Sequence, residues 1–363
     1  FLGLCPTLVA TARETKQNLA CLMLDFEKAY DRVQWYFLEE VMKVIELPWE
    51  WRCAAQALYK NGSSKVLIAG RKGARISLTR SIRQGCPLAP FLFLFITEAM
   101  SAFFNSQTAN LHGLSIPNTR QSLLDSEFAD DTMLYLQGNE AKLGRAQIAI
   151  DLFCKASGAA INWNKSKGFW ISSEAEPVWK PNVDFRWIAK GEGTRYLGMW
   201  IGVDIDNRIQ LQQIQSKICN SIRIWSGMNL SLAGRIIVAN HVLLSTMWHA
   251  VSMWMFDKHA IRIVKACIRG FLWAGNKKDN AATKVSWSML ILPKSKVGLG
   301  LIDPKLQSWA LLCKVLVRSF LPGNTLWKTL IHNRSILCSP QLGGHCKPHK
   351  SWLFCMDLKP RKS

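Results

Sequence analysis

Three aspartates carry the chemistry this sequence could do. Asp130 and Asp131 stand side by side in "SEFADDTMLYL", and Asp25 closes the apolar run "NLACLMLDF", 105 positions earlier than Asp130. Carboxylates repel one another and resist burial, so three of them at one place need a compensating charge. Hard divalent cations supply it, because Mg2+ takes oxygen ligands, keeps waters and shares its shell with substrate phosphates. Two such ions about 3.5–4 Å apart stabilise the attacking and leaving oxygens of an in-line phosphoryl transfer. Taken alone, "ADD" also reads as a polar turn, since Asp is a good turn residue. A calcium loop is excluded: "DFEKAYDRVQW" has no glycine at its sixth position and no regularly alternating oxygen ligands.

The elements that must position these acids follow from the pattern around them. "NLACLMLDF" is unbroken and apolar, as expected of a central strand covered on both faces. Asp130 falls at the tip of a hairpin whose strands flank "ADD". If that hairpin and the first strand are neighbours in one sheet, the three carboxylates meet. Helical patterns cover "EKAYDRVQWYFLEEVMKVIEL" up to Pro48, then "WEWRCAAQALYKN". "SKVLIAGRKGARISL" predicts a hairpin with Gly70 and Gly73 in its turn. "RQGCPLAP" predicts a tight turn into the apolar helix "FLFLFITEAMSAFF", with Pro87 starting that helix. A further helix spans roughly 140–157 and stops at Gly158, and "RYLGMWIG" reads as a strand or hairpin.

Composition bounds the rest. The 363 residues are 49% hydrophobic, which excludes a disordered chain. Net charge is +21, and it is uneven: residues 1–206 carry 23 basic and 21 acidic residues, residues 207–363 carry 23 and 4. That second half favours a polyanionic partner. From about residue 207 the pattern is mostly helical. The eleven cysteines form no CxxC pair and read as reduced thiols, many in the core. His345, Cys346 and His349, with Cys338 or Cys355, fit no standard zinc spacing. Ile236–Phe256 carries no charge, but Asn240, His241 and His249 within it argue for a buried helix over a membrane span. The opening "FLGLCPTLVA" lacks Met and a signal peptide, as expected of a fragment.

Taken together, "LDFEKAYDRVQW", "RQGCPLAPFLF" and "FADDTMLY" resemble motifs A, B and C of a reverse transcriptase, in the family's order. "SGAAINWNKSK" is similar to its motif D and "RYLGMWIG" to its motif E. The wording is closest to non-LTR retrotransposons of the LINE type. Residues 271–314, "FLWAGNKKDNAATKVSWSMLILPKSKVGLGLIDPKLQSWALLCK", resemble the region that follows the thumb in plant LINE polyproteins.

The resemblance implies an α+β fold: a right-hand polymerase palm, with a small antiparallel sheet backed by helices, then a helical thumb and a basic helical extension. It implies a palm with residual fingers over 1–206, a thumb over 207–275 and an extension over 276–363 that is partly disordered at its end. The implied activity is RNA-directed DNA polymerisation with two Mg2+ ions, an RNA template, a DNA primer and dNTPs, in the nucleus and with no membrane partner. Asp25, Asp130 and Asp131 match the metal-binding carboxylates. Lys165 matches the motif D lysine near the leaving pyrophosphate. Tyr30, five residues after Asp25, matches the steric gate against a 2′-OH. Arg83, Gln84 and Gly85 match the turn that meets template and nascent base pair, and Tyr196, Leu197 and Gly198 match the primer grip. Most of the fingers is absent before Asp25, and neither an endonuclease nor an RNase H carboxylate set is seen. Phe128 is a modest exchange ahead of Ala129. The alternative is a catalytically inactive relic, or a maturase-like RNA-binding protein.

Overall fold

Strand β1 (Leu19–Asp25) is buried along its whole length except at Asp25, as a strand flanked on both edges and covered on both faces must be. The structure is a computed structural model that describes residues 5–117, 119–172, 177, 185–206, 208–252, 256–274, 284–323, 325 and 327–331. The chain divides into two compact units, Ala10–Lys190 and Gly191–Ser363 with Phe1–Val9.

Helix α1 (Cys5–Glu14) leads into β1. The long helical pattern that follows is two helices, α2 (Ala29–Arg32) and α3 (Trp35–Val44), with Gln34 extended between them. Tertiary hydrogen bonds outweigh helix propensity there. Ser81 N donates to Val33 O at 2.9 Å, Gln34 N to Ser157 O at 3.2 Å, and Trp35 Nε1 to Ser81 O at 2.8 Å. Helix α4 (Trp49–Tyr59) precedes the hairpin β2 (Ser63–Ile68) and β3 (Arg71–Ser77). Its two-residue turn is Ala69–Gly70, both with positive φ, a geometry matched to strand twist. Gly73 lies within β3, not in the turn as the sequence suggests. Helix α5 (Ala89–Phe104) starts two residues later than expected. Pro87 sits in the preceding turn, and Pro90 is the proline in the first helical turn, where its missing N–H costs nothing.

Short strands β4 (Leu114–Ser115) and β5 (Ser122–Leu123) pair with each other. Then β6 (Asp125–Phe128), β7 (Asp131–Gln137), helix α6 (Glu140–Ser157), β8 (Lys167–Ile171) and β9 (Arg186–Ile188) complete the unit. The main sheet runs β6-β7-β1-β8-β9. Every pair is antiparallel except β8–β9, so the expected antiparallel sheet is in fact mixed. The connection from Ile171 to Arg186 is long enough for a parallel crossover. A three-residue strand is too short to show a period in the sequence.

The sheet's two faces are distinct. Ala20, Leu22 and Leu24 of β1 and Leu134 and Leu136 of β7 pack in one core with Leu92, Phe93, Ile96 and Met100 of α5 and Ala146, Ile150 and Phe153 of α6. Alternation therefore puts Asp25 and Asp131 on the face away from those helices. Gly138 is required where it stands, because a Cβ there would lie 1.8 Å from the Trp170 ring.

The second unit begins with the hairpin β10 (Thr194–Tyr196) and β11 (Met199–Ile201). Helices follow as expected: α7 (Arg208–Ser226), α8 (Leu232–Val238), α9 (Ser245–Val251), α10 (Lys258–Ala274), α11 (Trp287–Ile291) and α12 (Pro304–Phe320). A π turn at Ala239–Leu243 joins α8 to α9 within the uncharged stretch. Asn240 in that turn is satisfied by the loop before α12, donating to Gly300 O at 2.9 Å and accepting from Ile302 N at 2.9 Å. Among the described residues no helix is long and apolar enough to cross a membrane. Among the described residues, Cys53, Cys86, Cys154, Cys219, Cys267 and Cys313 form no disulfide. The histidines and cysteines weighed above as zinc ligands lie outside the described residues.

Candidate active site

Asp25 and Asp131 are register partners at the end of the β1–β7 ladder. Residues directly opposed in an antiparallel pair share a face, with Cβ atoms about 4.5–5.5 Å apart. Phe128 pairs with Asp131 across β6–β7, which leaves Ala129 and Asp130 as a two-residue turn. Ala129 takes φ +54°, a left-handed conformation costing about 1–2 kcal/mol for a residue with a Cβ. The strained tip exposes Asp130 beside Asp131. Burial raises the pKa of Asp131, and the charges of Asp130 and Asp25 raise it further. The three acids therefore share one field, as the sequence implies.

The end of β1 is fixed by the segment after α6. Phe26 bridges to Ile161, and Glu27 N donates to Ala160 O at 2.8 Å. Asn162 N donates to Asp25 O at 2.8 Å, and Asp25 N donates to Ser166 Oγ at 3.1 Å. The Ser166 hydroxyl in turn donates to Asn162 O at 2.9 Å. Lys165 is exposed on this turn, its own N–H held by Asn162 Oδ1 at 3.2 Å. The turn that bears Lys165 is thus tied directly to the Asp25 backbone.

Tyr30 lies in α2, half-buried, with its ring stacked on Phe93 of α5 at 4.6 Å between centroids and 22° between planes. Burial raises its pKa and the charge of Asp130 adds to the rise, so the phenol lies within the field of Asp130. Tyr30 O accepts from Ile82 N at 2.8 Å, which joins α2 to the segment before α5. In that segment Arg83, Gln84 and Gly85 are exposed, and Gly85 has φ +86° with open space where a Cβ would stand. Its glycine is required by backbone angle, not by crowding.

Two residues here escape sequence reasoning. Cys86 follows Gly85. Backbone N–H groups of Leu88 lower its thiol pKa against the effect of burial, with help from Ala89 N–H, Tyr59 and Arg83. Glu127 pairs with Thr132 across β6–β7 on the helix-facing side. Burial pushes its carboxyl up to about 8, aided by Asp125 and Glu98 and opposed by Thr97. Glu127 Oε1 and Thr132 Oγ1 are both buried without a hydrogen-bond partner. No motif spacing signals either residue.

Tyr196, Leu197 and Gly198 lie in the other unit, at the tip of the β10–β11 hairpin. Leu197 and Gly198 both have positive φ. The Leu197 carbonyl is held at 3.1 Å from His249 Nε2 of α9.

Among the described residues no three His, Cys, Asp or Glu side chains close into a cage for a metal ion. An ion that shares its shell with water and substrate phosphates needs only one or two carboxylates. The mutual repulsion registered at Asp131 is what a cation would relieve, so the donor set fits a hard divalent ion.

Residues 4–201 match the family described as "Reverse transcriptase (RNA-dependent DNA polymerase)". The chain is 28% identical over 300 residues to the "Transposon TX1 uncharacterized 149 kDa protein" of Xenopus laevis, covering 81% of this chain and 22% of that protein. It is 27% identical over 151 residues to a "Retrovirus-related Pol polyprotein from type-1 retrotransposable element R2" of Nasonia vitripennis, covering 41% and 14%. It therefore spans less than a quarter of the length of either relative. Apo telomerase from Candida tropicalis aligns over 98% of this chain and 56% of its own, at 13% identity and a TM-score of 0.45.

Proposed function

The chain belongs to the reverse transcriptase family, with relatives among LINE-type retrotransposon proteins, and from that premise we propose that it extends a DNA primer on an RNA template. The observation that carries this is the register of Asp25 against Asp131, with Asp130 on the adjoining turn. In the reaction the primer 3′-oxygen bonds to the α-phosphorus of a dNTP. The bond to pyrophosphate breaks, and the hydroxyl proton leaves to solvent or base.

The family generally uses divalent metal ions, and here two Mg2+ ions held by Asp25 and Asp130 would neutralise the charge that develops on the phosphoryl oxygens. Asp131, half-buried and flanked by two like charges, is a weaker, supporting ligand. Tyr30, braced by Phe93, excludes a 2′-OH by contact. Gly85 lets the backbone approach the nascent base pair, and Gln84 contacts it. Arg83 meets template phosphate. Lys165, exposed on the turn tied to Asp25, stabilises the departing pyrophosphate. Tyr196, Leu197 and Gly198 hold the primer end.

In this reading residues 1–206 form the palm, 207–275 the thumb and 276–363 a basic extension, and the protein works in the nucleus. Primer extension with dNTPs and Mg2+ tests it. Asp25→Asn or Asp130→Asn abolishes incorporation while binding to the RNA–DNA hybrid persists, and Asp131→Asn lowers it less. Incorporation undiminished in Asp25→Asn would refute the assignment.

A further inference from the structure

Residues 60–83 carry seven basic residues and no acidic one, which leaves 16 basic against 21 acidic in the rest of 1–206. This basic island centres on the β2–β3 hairpin, whose side chains are exposed on both faces from Ser64 to Ser77.

Register sorts those side chains. Ser63 opposes Ser77, Lys65 opposes Arg75 and Leu67 opposes Lys72. Between the last two rungs β3 has Gly73 and Ala74 against Val66 alone, which makes a β-bulge. Glycine suits the bulge, since a Cβ on Gly73 would stand only 3.3 Å from Val66 O. In a regular strand Lys72 and Arg75, three positions apart, would point to opposite faces. The bulge turns Lys72 back, so Lys65, Lys72 and Arg75 share one face with Ser63. Arg75 Nε donates to Ser63 Oγ at 2.9 Å, in keeping with that face. The rungs of Lys65 and Leu67 are about 7 Å apart along the strand, so the three cations form a compact patch. Val66, Ile68 and Ile76 lie on the opposite face.

Arg83, assigned above to template phosphate, belongs to the opposite side as well. Gly62 continues the ladder, its O accepting from Leu78 N at 2.9 Å, and it has the parity of Val66 and Ile68. A Cβ on Gly62 would stand 3.3 Å from Arg83 Nη2. The three cations therefore face away from Arg83 and do not extend its contact.

We propose that the face of the ribbon bearing Lys65, Lys72 and Arg75 docks on the phosphate backbone of double-stranded DNA, as a site separate from the template turn. Charge selects a polyanion. Residues 60–83 contain no aromatic side chain, so the ribbon offers no platform for stacking unpaired bases. The DNA major groove, about 12 Å wide, admits a two-stranded ribbon, whereas the deep, narrow groove of duplex RNA does not. An anionic membrane would have to meet cations and apolar residues together, and on this ribbon they point apart.

The test uses the full chain in EDTA without dNTPs. Fluorescence anisotropy follows binding to a DNA duplex, an RNA duplex of the same sequence and single-stranded DNA, from about 50 to 200 mM salt. Each phosphate neutralised adds about 0.9 to the slope of log affinity against log salt. Lys65→Gln/Lys72→Gln removes two exposed cations that make no hydrogen bond or ion pair among the described residues. It is expected to make the slope on duplex DNA shallower by about 1.8 and to weaken that binding by about tenfold or more. Binding to duplex RNA and to single strands stays within about twofold. Lys65→Arg/Lys72→Arg keeps the wild-type slope, and so does Arg71→Gln, on the apolar face. An unchanged slope on duplex DNA in the Gln variant, an equal change on duplex RNA or single strands, or an equal change per charge in Arg71→Gln would each overturn the proposal. So would a larger loss of binding to phosphatidylserine vesicles than to duplex DNA. No metal, nucleotide or palm aspartate enters this readout, so failure here is separable from failure of the polymerase reading.

Discussion

Glu127 makes the stability of this fold fall as pH rises. Its carboxyl moves from an ordinary value of 4.5 to about 8 in the folded chain, driven first by burial, then by Asp125, with Glu98 adding to the rise. Thr97 of α5 opposes the shift, but its single hydroxyl proton already goes to Leu94 O at 3.1 Å. The folded state therefore holds a proton that the unfolded chain releases above pH 4.5. Folding is favoured most below that pH, and stability is lost between about 4.5 and about 8. A shift of roughly three and a half units corresponds to on the order of 5 kcal/mol across the window, at about 1.4 kcal/mol per unit. Glu127→Gln removes the titration and keeps the shape. Urea unfolding at pH 5, 7 and 9 should show wild type losing stability much faster than the variant. Gln brings an amide that must find partners of its own, so the slope is diagnostic and a constant offset is not. Asp131, whose pKa is also raised, adds a smaller slope of the same sign to both proteins. Parallel stability curves for the two proteins would refute the reasoning.

Two further outcomes follow from the site. Tyr30→Val should raise the ratio of rNTP to dNTP incorporation by tenfold or more, the equivalent of about 1.4 kcal/mol of lost discrimination. An unchanged ratio with a lower melting point would make Tyr30 only a packing partner of Phe93. Cys86 should alkylate with iodoacetamide at neutral pH well before Cys154 or Cys267. The N–H groups at the start of α5 lower its thiol pKa, while burial pushes the other two up to about 11. Peptide mass spectrometry after a short pulse reads the order, and equal rates at Cys86 and Cys154 would contradict it.

The features legible in sequence were those fixed by local pattern. Six apolar residues from Leu19 announce β1, and "ADD" between apolar strands announces the β6–β7 turn. Gly158, with φ +77°, ends α6 where the pattern stops. What the sequence hides is set by distant partners. The break at Gln34 depends on Ser157, and its neighbours Val33 and Trp35 are held by Ser81. The start of α5 at Ala89 and the parallel pairing of β9 likewise follow from tertiary context, not local period. Cys86 and Glu127 have no spacing signature, because their chemistry comes from a helix terminus and from burial against α5. The resemblance supplies roles for Lys165 and Tyr30. The structure adds the turn that ties one to Asp25 and the ring that braces the other.

The β6–β7 hairpin handles charge differently on its two faces. Asp131 and Phe128 pair on the face shared with Asp25, while Glu127 and Thr132 pair on the face toward α5. On the first face, like charges crowd at a strand end and at a strained turn, where solvent or a cation can reach Asp130. On the second, partial burial pushes an acid's carboxyl up to about 8. A fourth ionised carboxylate three residues from Asp130 would deepen the repulsion among the three acids. Burial of Glu127 prevents that at neutral pH without a basic partner, whose charge would compete with a metal ion. The same burial that weakens the fold in alkali thus keeps the negative field on the face where a cation can answer it.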